Sequence, residues 1–379
     1  MSVLYRKYRP LTFAHVTNQR AVVQTLMNEI VTGHIGHAYC FSGPRGVGKT
    51  SIARIVARSL NCLNRSNDSA EPCNTCSSCQ SMLSGSCLDL IEVDAASNTG
   101  VDHVRDNIIA AARVASAGGK KKIFIIDEAH MLSLSAFNAL LKTLEEPPEH
   151  VVFILATTEI HKFPATILSR CQRFHFGRIA SVDIVERLQH IATLEHRQVD
   201  LEVLQAIADQ SDGGLRDAES LLGQVLSLET NGSITMDIAQ LVVGRVIESD
   251  ILSLAQHMAG AQASAAIRQL QQYQEDGGDP VRLLDGMIEF FRQALLAAQQ
   301  VVLDGVTPLR KKAVGQYAHS KSVAQILRTL DIFIRRRAMI ASSADLMLPL
   351  FMAVAESLLE LPAPSAQPLE AFVADLSHS

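Results

Sequence analysis

The sequence predicts an α/β domain with a mostly parallel sheet, followed by two all-helical regions. Three observations carry this reading. Five short apolar runs alternate with helical patterns as far as Gly177, a glycine-rich turn joins the first run to a helix, and beyond Gly177 the apolar runs stop.

The runs are AYCFSG (38–43), LDLIEVDA (88–95), KIFIIDE (122–128), VVFILATT (151–158) and RFHFG (173–177). Several have few polar breaks, as strands buried on both faces require. Between them, SIARIVARSL, VRDNIIAAARVA and SAFNALLKTLEE repeat apolar residues at helical spacing. From Ser181 to about Gly244 three or four short helices are expected, interrupted by the glycine pair at 213–214. From Glu248 to about Leu361 the helices lengthen, as in VRLLDGMIEFFRQALLAAQQ and VAQILRTLDIFIRRRAMI, and PAPSAQPLEAFVADLSHS reads as a frayed tail.

The 379 residues suffice for two or three domains, and a formal net charge of −5 argues against coating nucleic acid by bulk electrostatics. The opening MSVLYRKYRP lacks the apolar core of a secretory signal, and no apolar run approaches a membrane span. With seven cysteines and no export signal, the expectation is a reducing cytoplasm.

GPRGVGKT (43–50) has the G-x-x-x-x-G-K-[ST] spacing between a strand and a helix. The loop Gly43, Pro44, Arg45, Gly46, Val47 and Gly48, with Ser51 in the helix that follows, suits phosphate oxygens through its backbone N–H groups, Pro44 having none to offer. Lys49 adds a point charge, and the Thr50 hydroxyl is a candidate Mg2+ ligand. IFIIDEAH (123–130) places Asp127 where it would hold Mg2+ and Glu128 where it would deprotonate an attacking water. An Asp-Glu pair at a strand end is also a plausible helix cap, and His130 is read as packing or hydrogen bonding without a catalytic role. Thr157 and Thr158 close the fourth run, and Arg170 (ILSRCQRF) and Arg216 (GGLRDAES) taken singly are surface arginines more often than not.

Four cysteines, Cys62, Cys73, Cys76 and Cys79, fall within eighteen residues, with C-x2-C spacing in the last three. Four thiolates make a closed tetrahedral Zn2+ site with no open position for water, so the expected metal is structural. Cys87 is left out because it approaches an apolar strand, and Cys40 and Cys171 are read as buried thiols.

GPRGVGKTSIAR, DEAH, SRC and GGLRDAES, in this order, resemble a clamp-loader ATPase of the AAA+ class. LYRKYRPLTF, HMLSLSAFNALLKTLEEPPEHVVFILATTE and the four cysteines narrow the likeness to the bacterial clamp loaders. The resemblance is strong over 1–178, good to 243 and weaker beyond. It implies an AAA+ P-loop parallel-sheet domain (1–178) with a zinc-binding insertion (about 62–79), a small helical lid domain (179–243), an all-α collar domain (244–362) and a tail (363–379).

By the same resemblance, the phosphate loop, Asp127 and Glu128 bind and hydrolyse ATP with Mg2+. Thr158, slightly ahead of Thr157, is the first sensor and Arg216 the second. Arg6, Lys7, Arg9 and Pro10 lie near the adenine end, and Arg170 serves a neighbour's ATP in trans. The implied partners are delta and delta-prime subunits, further copies of this chain, the beta sliding clamp and primed DNA, with no membrane. The turn at Ser97, Asn98 and Thr99 is the expected DNA contact, although it is less basic than the resemblance would suggest. Lys120, Lys121 and Lys122 are a second candidate that also reads as a solvated loop. A branch-migration motor is the competing reading, disfavoured by the cysteine insertion and by the lack of a basic recognition helix beyond 244. By the same resemblance, a chain ending at Ser379 would be either a shorter form or a piece of a longer protein whose extension reaches the polymerase.

Overall fold

The structure is a computed structural model and describes residues 3–97, 99–118, 120–229, 232–243, 247–303 and 306–359. Asn98, residues 360–362 of the expected collar and the tail 363–379 lie outside the described residues. The chain divides into two compact units, Met1–Val243 and Gly244–Ser379.

In the first unit, β1 (Ala38–Ser42), β2 (Leu90–Asp94), β3 (Lys122–Asp127), β4 (Val151–Thr157) and β5 (Gln172–His175) form a sheet in the order β2-β3-β4-β1-β5. Every pairing is parallel. The apolar runs become strands because the interior ones are covered on both sides: β1 and β4 are buried along their whole length, whereas on edge strand β5 only Phe174 is.

Alternate residues feed two cores. Tyr39, Phe41, Ile125 and Ile154 face α1 (Arg20–Thr32) and α2 (Lys49–Asn61). On α1 the buried residues are Val22, Leu26 and Ile30, spaced four apart on one stripe, and Gly33 ends the helix at φ +75°. After the cysteine loop comes α3 (Ser77–Ser84). On the opposite face, Cys40, Phe124, Ile126, Phe153 and Leu155 pack against the helical stretch 101–112 and α4 (Leu134–Glu145). Phe124 and Phe153 stack there with centroids 5.1 Å apart.

Helices α5 (Ser181–Leu194), α6 (Leu201–Gln210), α7 (Leu215–Leu226) and α8 (Met236–Val243) share a separate core that includes Ile184, Leu188, Ile207, Leu222 and Val225, together with Leu4 from the start of the chain. Between α6 and α7, Gly213 has φ +79°, and a Cβ there would stand 2.6 Å from the Arg178 Cβ, so the turn needs glycine.

The second unit is all-helical among its described residues: α9 (Ile247–Ala259), α10 (Ala263–Glu275), α11 (Pro280–Ala298), α12 (Pro308–Ser320), α13 (Val323–Met339) and α14 (Leu348–Leu358). Helix α11 packs against α9, α12 and α13. Its Phe290 meets Tyr317 at 5.7 Å and its Phe291 meets Phe333 at 5.0 Å. Asp279 caps α11 by accepting the Val281 N–H at 2.8 Å, and Pro280 opens the helix where its missing N–H costs nothing. Among the described residues no helix is long and apolar enough to cross a membrane. The parallel sheet, the helices on both its faces and the helical parts that follow meet the α/β AAA+ expectation.

Candidate nucleotide site and cysteine cluster

The carboxyl ends of β1, β3 and β4 open onto one cleft, where ligands of open parallel sheets bind. Register aligns Ser42 with Thr157 and Asp94 with Asp127. From Ser42 the chain turns through Gly43–Gly48 before α2 begins at Lys49. A Cβ on Gly43 would lie 2.2 Å from the Phe176 carbonyl oxygen, so only glycine lets the loop pass that close to the segment after β5. Gly48, at φ +104°, turns the chain into the helix.

Lys49 is buried, and its Nζ donates to the Gly43 and Pro44 carbonyls at 2.7 Å each, closing the loop on itself. Burial pushes its pKa down, and Glu128 and Asp127 act in the opposite direction. The Thr50 hydroxyl donates to Asp127 Oδ2 at 2.7 Å, so two hard oxygens meet where a magnesium ion would need them. Glu128 follows at φ +46°, a left-handed conformation uncommon for a glutamate. Its Oε2 accepts a hydrogen bond from the Thr158 hydroxyl at 3.1 Å. Thr157 is fully buried; its oxygen accepts the Glu159 N–H at 2.9 Å and lies 3.1 Å from His130 Nδ1. Of the two threonines, Thr158 therefore faces the acidic pair and Thr157 faces the imidazole.

Arg216 opens α7 onto the same cleft. Its N–H donates to the Gly46 carbonyl at 3.4 Å, and its guanidinium lies 4.7 Å from the centre of the Tyr5 ring. Arg9 and Pro10 line the cleft together with Tyr5, Val16 and Thr17. Arg6 and Lys7 do not. They border a second depression shared with Arg54 and Arg58, and the Lys7 Nζ is held at 2.7 Å by Glu195. Lys7 is drawn off by Glu195, whereas the Arg6 guanidinium stays beside the cleft wall, 5.8 Å from the centre of the Tyr5 ring.

Glu219 also lines the cleft and went unnoticed in the sequence. It is buried 3.3 Å from the Arg187 Nε, and burial raises its pKa to about 7 against that arginine's pull. The available signal was its place on the buried face of α7, one residue after Ala218 and three before Leu222.

Arg170 lies outside the cleft. Its Nη1 donates to the Thr166 carbonyl at 2.7 Å and the Ser169 hydroxyl at 3.1 Å, and its Nη2 pairs with Glu145. At the expected DNA turn, the Ser97 hydroxyl donates to the Asp94 carbonyl at 3.1 Å and the Thr99 carbonyl accepts the Ser133 N–H at 3.1 Å. The lysine run is occupied with backbone carbonyls: Lys120 with Cys62, Lys121 with Glu149, and buried Lys122 with Ala111 and Val114.

The sulfurs of Cys62, Cys73, Cys76 and Cys79 all lie within 4.8 Å of one another. A tetrahedral zinc thiolate centre has edges of about 3.8 Å, given Zn–S bonds of about 2.3 Å. Backbone N–H groups already aim at sulfur: Cys73 at Cys62 Sγ (3.3 Å), Cys76 at Cys73 Sγ (3.3 Å) and Cys79 at Cys76 Sγ (3.4 Å). Hydrogen bonds from Thr75 bring the Cys73 thiol down to about 6, while burial pushes Cys79 up. The donor set fits a thiolate-bound metal. Cys87 is not part of it and packs partly against the sheet core.

A family model described as "DNA polymerase III, delta subunit" matches residues 18–180, and one described as "DNA polymerase III clamp loader subunit, ATPase lid domain" matches residues 183–230, which fall on α5–α7. "DNA polymerase III subunit tau" of Bacillus subtilis (strain 168) is 47% identical over 303 residues, 80% of this chain and 53% of that protein. The protein of the same description from Escherichia coli (strain K12) is 44% identical over 259 residues, 68% of this chain and 40% of that protein. "DNA polymerase III subunit gamma" of Buchnera aphidicola subsp. Schizaphis graminum is 44% identical over 229 residues, 60% of this chain and 62% of that protein. The chain thus spans about half the length of the curated relatives it matches.

Proposed function

The chain belongs to the bacterial DNA polymerase III gamma/tau family, and from that premise we propose that it is an ATPase subunit of a clamp loader. The observation that carries the reading is the convergence of Lys49, Thr50, Asp127, Glu128 and Arg216 on one cleft, with Thr158 bonded to Glu128 beside it.

In that reading Lys49 exchanges its two loop carbonyls for phosphate oxygens of ATP. Thr50 and Asp127 would hold Mg2+, which would supply positive charge against the negative charge developing on the phosphates. Glu128 takes the proton of the attacking water, and Thr158 orients it and senses the γ-phosphate. Arg216 carries the helical lid toward the nucleotide. Arg170, outside its own cleft, completes the site of a neighbouring copy. Zn2+ held by the four cysteines stabilises the insertion and takes no part in hydrolysis. The second unit serves as the collar for assembly with delta, delta-prime and further copies. Cycles of ATP binding and hydrolysis then open the beta sliding clamp and place it on primed DNA in the cytoplasm.

Steady-state ATP turnover by the reconstituted assembly, with and without clamp and primed DNA, tests this. The expected outcome is stimulation by the two together. Turnover indifferent to the clamp but stimulated by duplex DNA alone would favour a translocating motor instead.

A further inference from the structure

His130 occupies the gap between two acidic side chains at the carboxyl ends of β3 and β4. Its Nδ1 lies 3.4 Å from Glu128 Oε2 and 3.1 Å from the Thr157 hydroxyl, while its Nε2 lies 3.4 Å from Glu159 Oε1. The imidazole is 7% exposed, so these neighbours rather than water set its orientation. Each anchor is itself held. Thr157 Oγ1 accepts the Glu159 N–H at 2.9 Å, and Glu159 Oε2 is taken by the Lys162 Nζ at 2.9 Å, with His161 Nε2 at 3.5 Å. The ring therefore stands on a rigid base formed by the end of β4.

The Glu128 backbone, left-handed just beyond β3, is fixed by its N–H to Asp127 Oδ1 at 3.0 Å and by the Met131 N–H to its carbonyl at 2.8 Å. Its side chain still has to be aimed, and that falls to the groups around the carboxylate. Those groups are the Thr158 hydroxyl at 3.1 Å and His130, both on Oε2. A general base is effective only when it lies within hydrogen-bond reach of the proton it removes.

We propose that His130 is a positioning residue that holds Glu128 Oε2 against the end of β4, so that Oε1 is the oxygen presented to the attacking water. This rests on Glu128 being the general base. The two ring nitrogens face different groups: Nδ1 faces the Thr157 hydroxyl and Glu128 Oε2, and Nε2 faces Glu159 Oε1. An asparagine at this position can place its amide nitrogen near the Nδ1 site, whereas a glutamine reaches toward the Nε2 site.

The test uses the full chain reconstituted with clamp-loader partners, clamp and primed DNA, and measures kcat and the equilibrium Kd for ATP separately. A general base contributes roughly 10²–10⁴ in rate, so losing its orientation should cost about tenfold or more in kcat. His130→Ala and His130→Phe are expected to show that loss with Kd within about threefold of the parent, since neither touches the phosphate loop. His130→Asn should recover most of the rate and His130→Gln should not. If the alanine variant fails to fold, the contrast between asparagine and glutamine decides alone. Parental kcat in His130→Phe, or rescue by glutamine and not asparagine, overturns the proposal. Glu128→Gln is run in parallel. If it turns over ATP at the parental rate, the reading of Glu128 falls and the His130 proposal with it. If it is inactive while His130→Phe keeps full rate, only the His130 proposal falls.

Discussion

The Thr50 hydroxyl donates to Asp127 Oδ2 across 2.7 Å, tying the first turn of the phosphate-loop helix to the end of β3. Thr50 and Asp127 are the residues that would hold a magnesium ion there, and doing so would release that hydrogen bond. Asp127→Asn keeps an acceptor for Thr50 but removes the charge. The fold should therefore persist, while the Mg2+ concentration giving half-maximal turnover rises about tenfold or more. An unchanged Mg2+ dependence would remove Asp127 from the metal site.

Lys49 and Glu128 should separate binding from hydrolysis. Lys49→Ala deletes a charge that faces the phosphates, and one charged hydrogen bond is worth about 1.5–3 kcal/mol, so ATP affinity should fall by about 10–100-fold. Glu128→Gln should retain ATP binding and lose roughly 10²–10⁴ in turnover, trapping an ATP-bound assembly on clamp and DNA. Equilibrium binding with labelled ATP, followed by single-turnover hydrolysis, reads both outcomes.

The cysteine cluster should contain one zinc per chain, measured by elemental analysis after purification without chelator. Its loop is built mainly from Asn, Ser, Asp and Pro, with little core of its own beyond the sulfurs. Replacing any of Cys62, Cys73, Cys76 or Cys79 with Ser should lower Tm by about 5 °C or more. ATP turnover per folded molecule should change little. Protein free of zinc with parental stability would exclude the metal.

Much of the fold was legible because burial is simple to read. β1 and β4 lie under helices on both faces, so their sequences are unbroken apolar runs. The edge is less clear: the run RFHFG suggested 173–177, but β5 is Gln172–His175, since only Phe174 needs cover there. The stretch VRDNII is π-helical, with one extra residue in a turn, and a pattern only three turns long cannot distinguish that from an ordinary helix. At the site, spacing alone picked out Lys49, Thr50, Asp127 and Glu128, which line one cleft because they sit at two strand ends. Lys7 lies off the cleft because its partner Glu195 is 188 residues away, and Glu219 was missed because an acid on an apolar face becomes visible only when its cover is known.

That buried acid gives a pH prediction with a definite sign. Glu219 has a folded pKa of about 7 against an ordinary 4.5, so between these values the folded chain holds a proton that the unfolded chain has released. Its contribution to stability is present in full below about pH 4.5 and is lost as pH rises through 7. Glu219→Gln should therefore gain stability relative to the parent as pH rises from about 5 to about 8, by an amount on the order of 1–3 kcal/mol. Denaturant midpoints followed by circular dichroism across that range provide the check. Parallel curves for the two proteins would mean that Glu219 is ionised throughout.

Arg170 lies outside its own cleft, held by the Thr166 carbonyl, the Ser169 hydroxyl and the Glu145 carboxylate. In the proposed reading it would act on negative charge that develops in a neighbour's transition state, and arginines so placed in related phosphoryl transfers are worth on the order of 10³–10⁵ in rate. If it serves the neighbour, an Arg170→Ala chain still binds ATP and keeps its own Asp127 and Glu128, but cannot complete the next site. Glu128→Gln instead disables only the site of its own chain. Each variant assembled alone should be nearly inactive. Mixed assemblies should recover turnover wherever a chain with intact Arg170 and Glu128→Gln abuts a chain with Arg170→Ala and intact Glu128. Steady-state ATPase across mixing ratios, with clamp and primed DNA present, reads the recovery. An arginine acting in cis would give none at any ratio, because no chain in the mixture would then carry both groups.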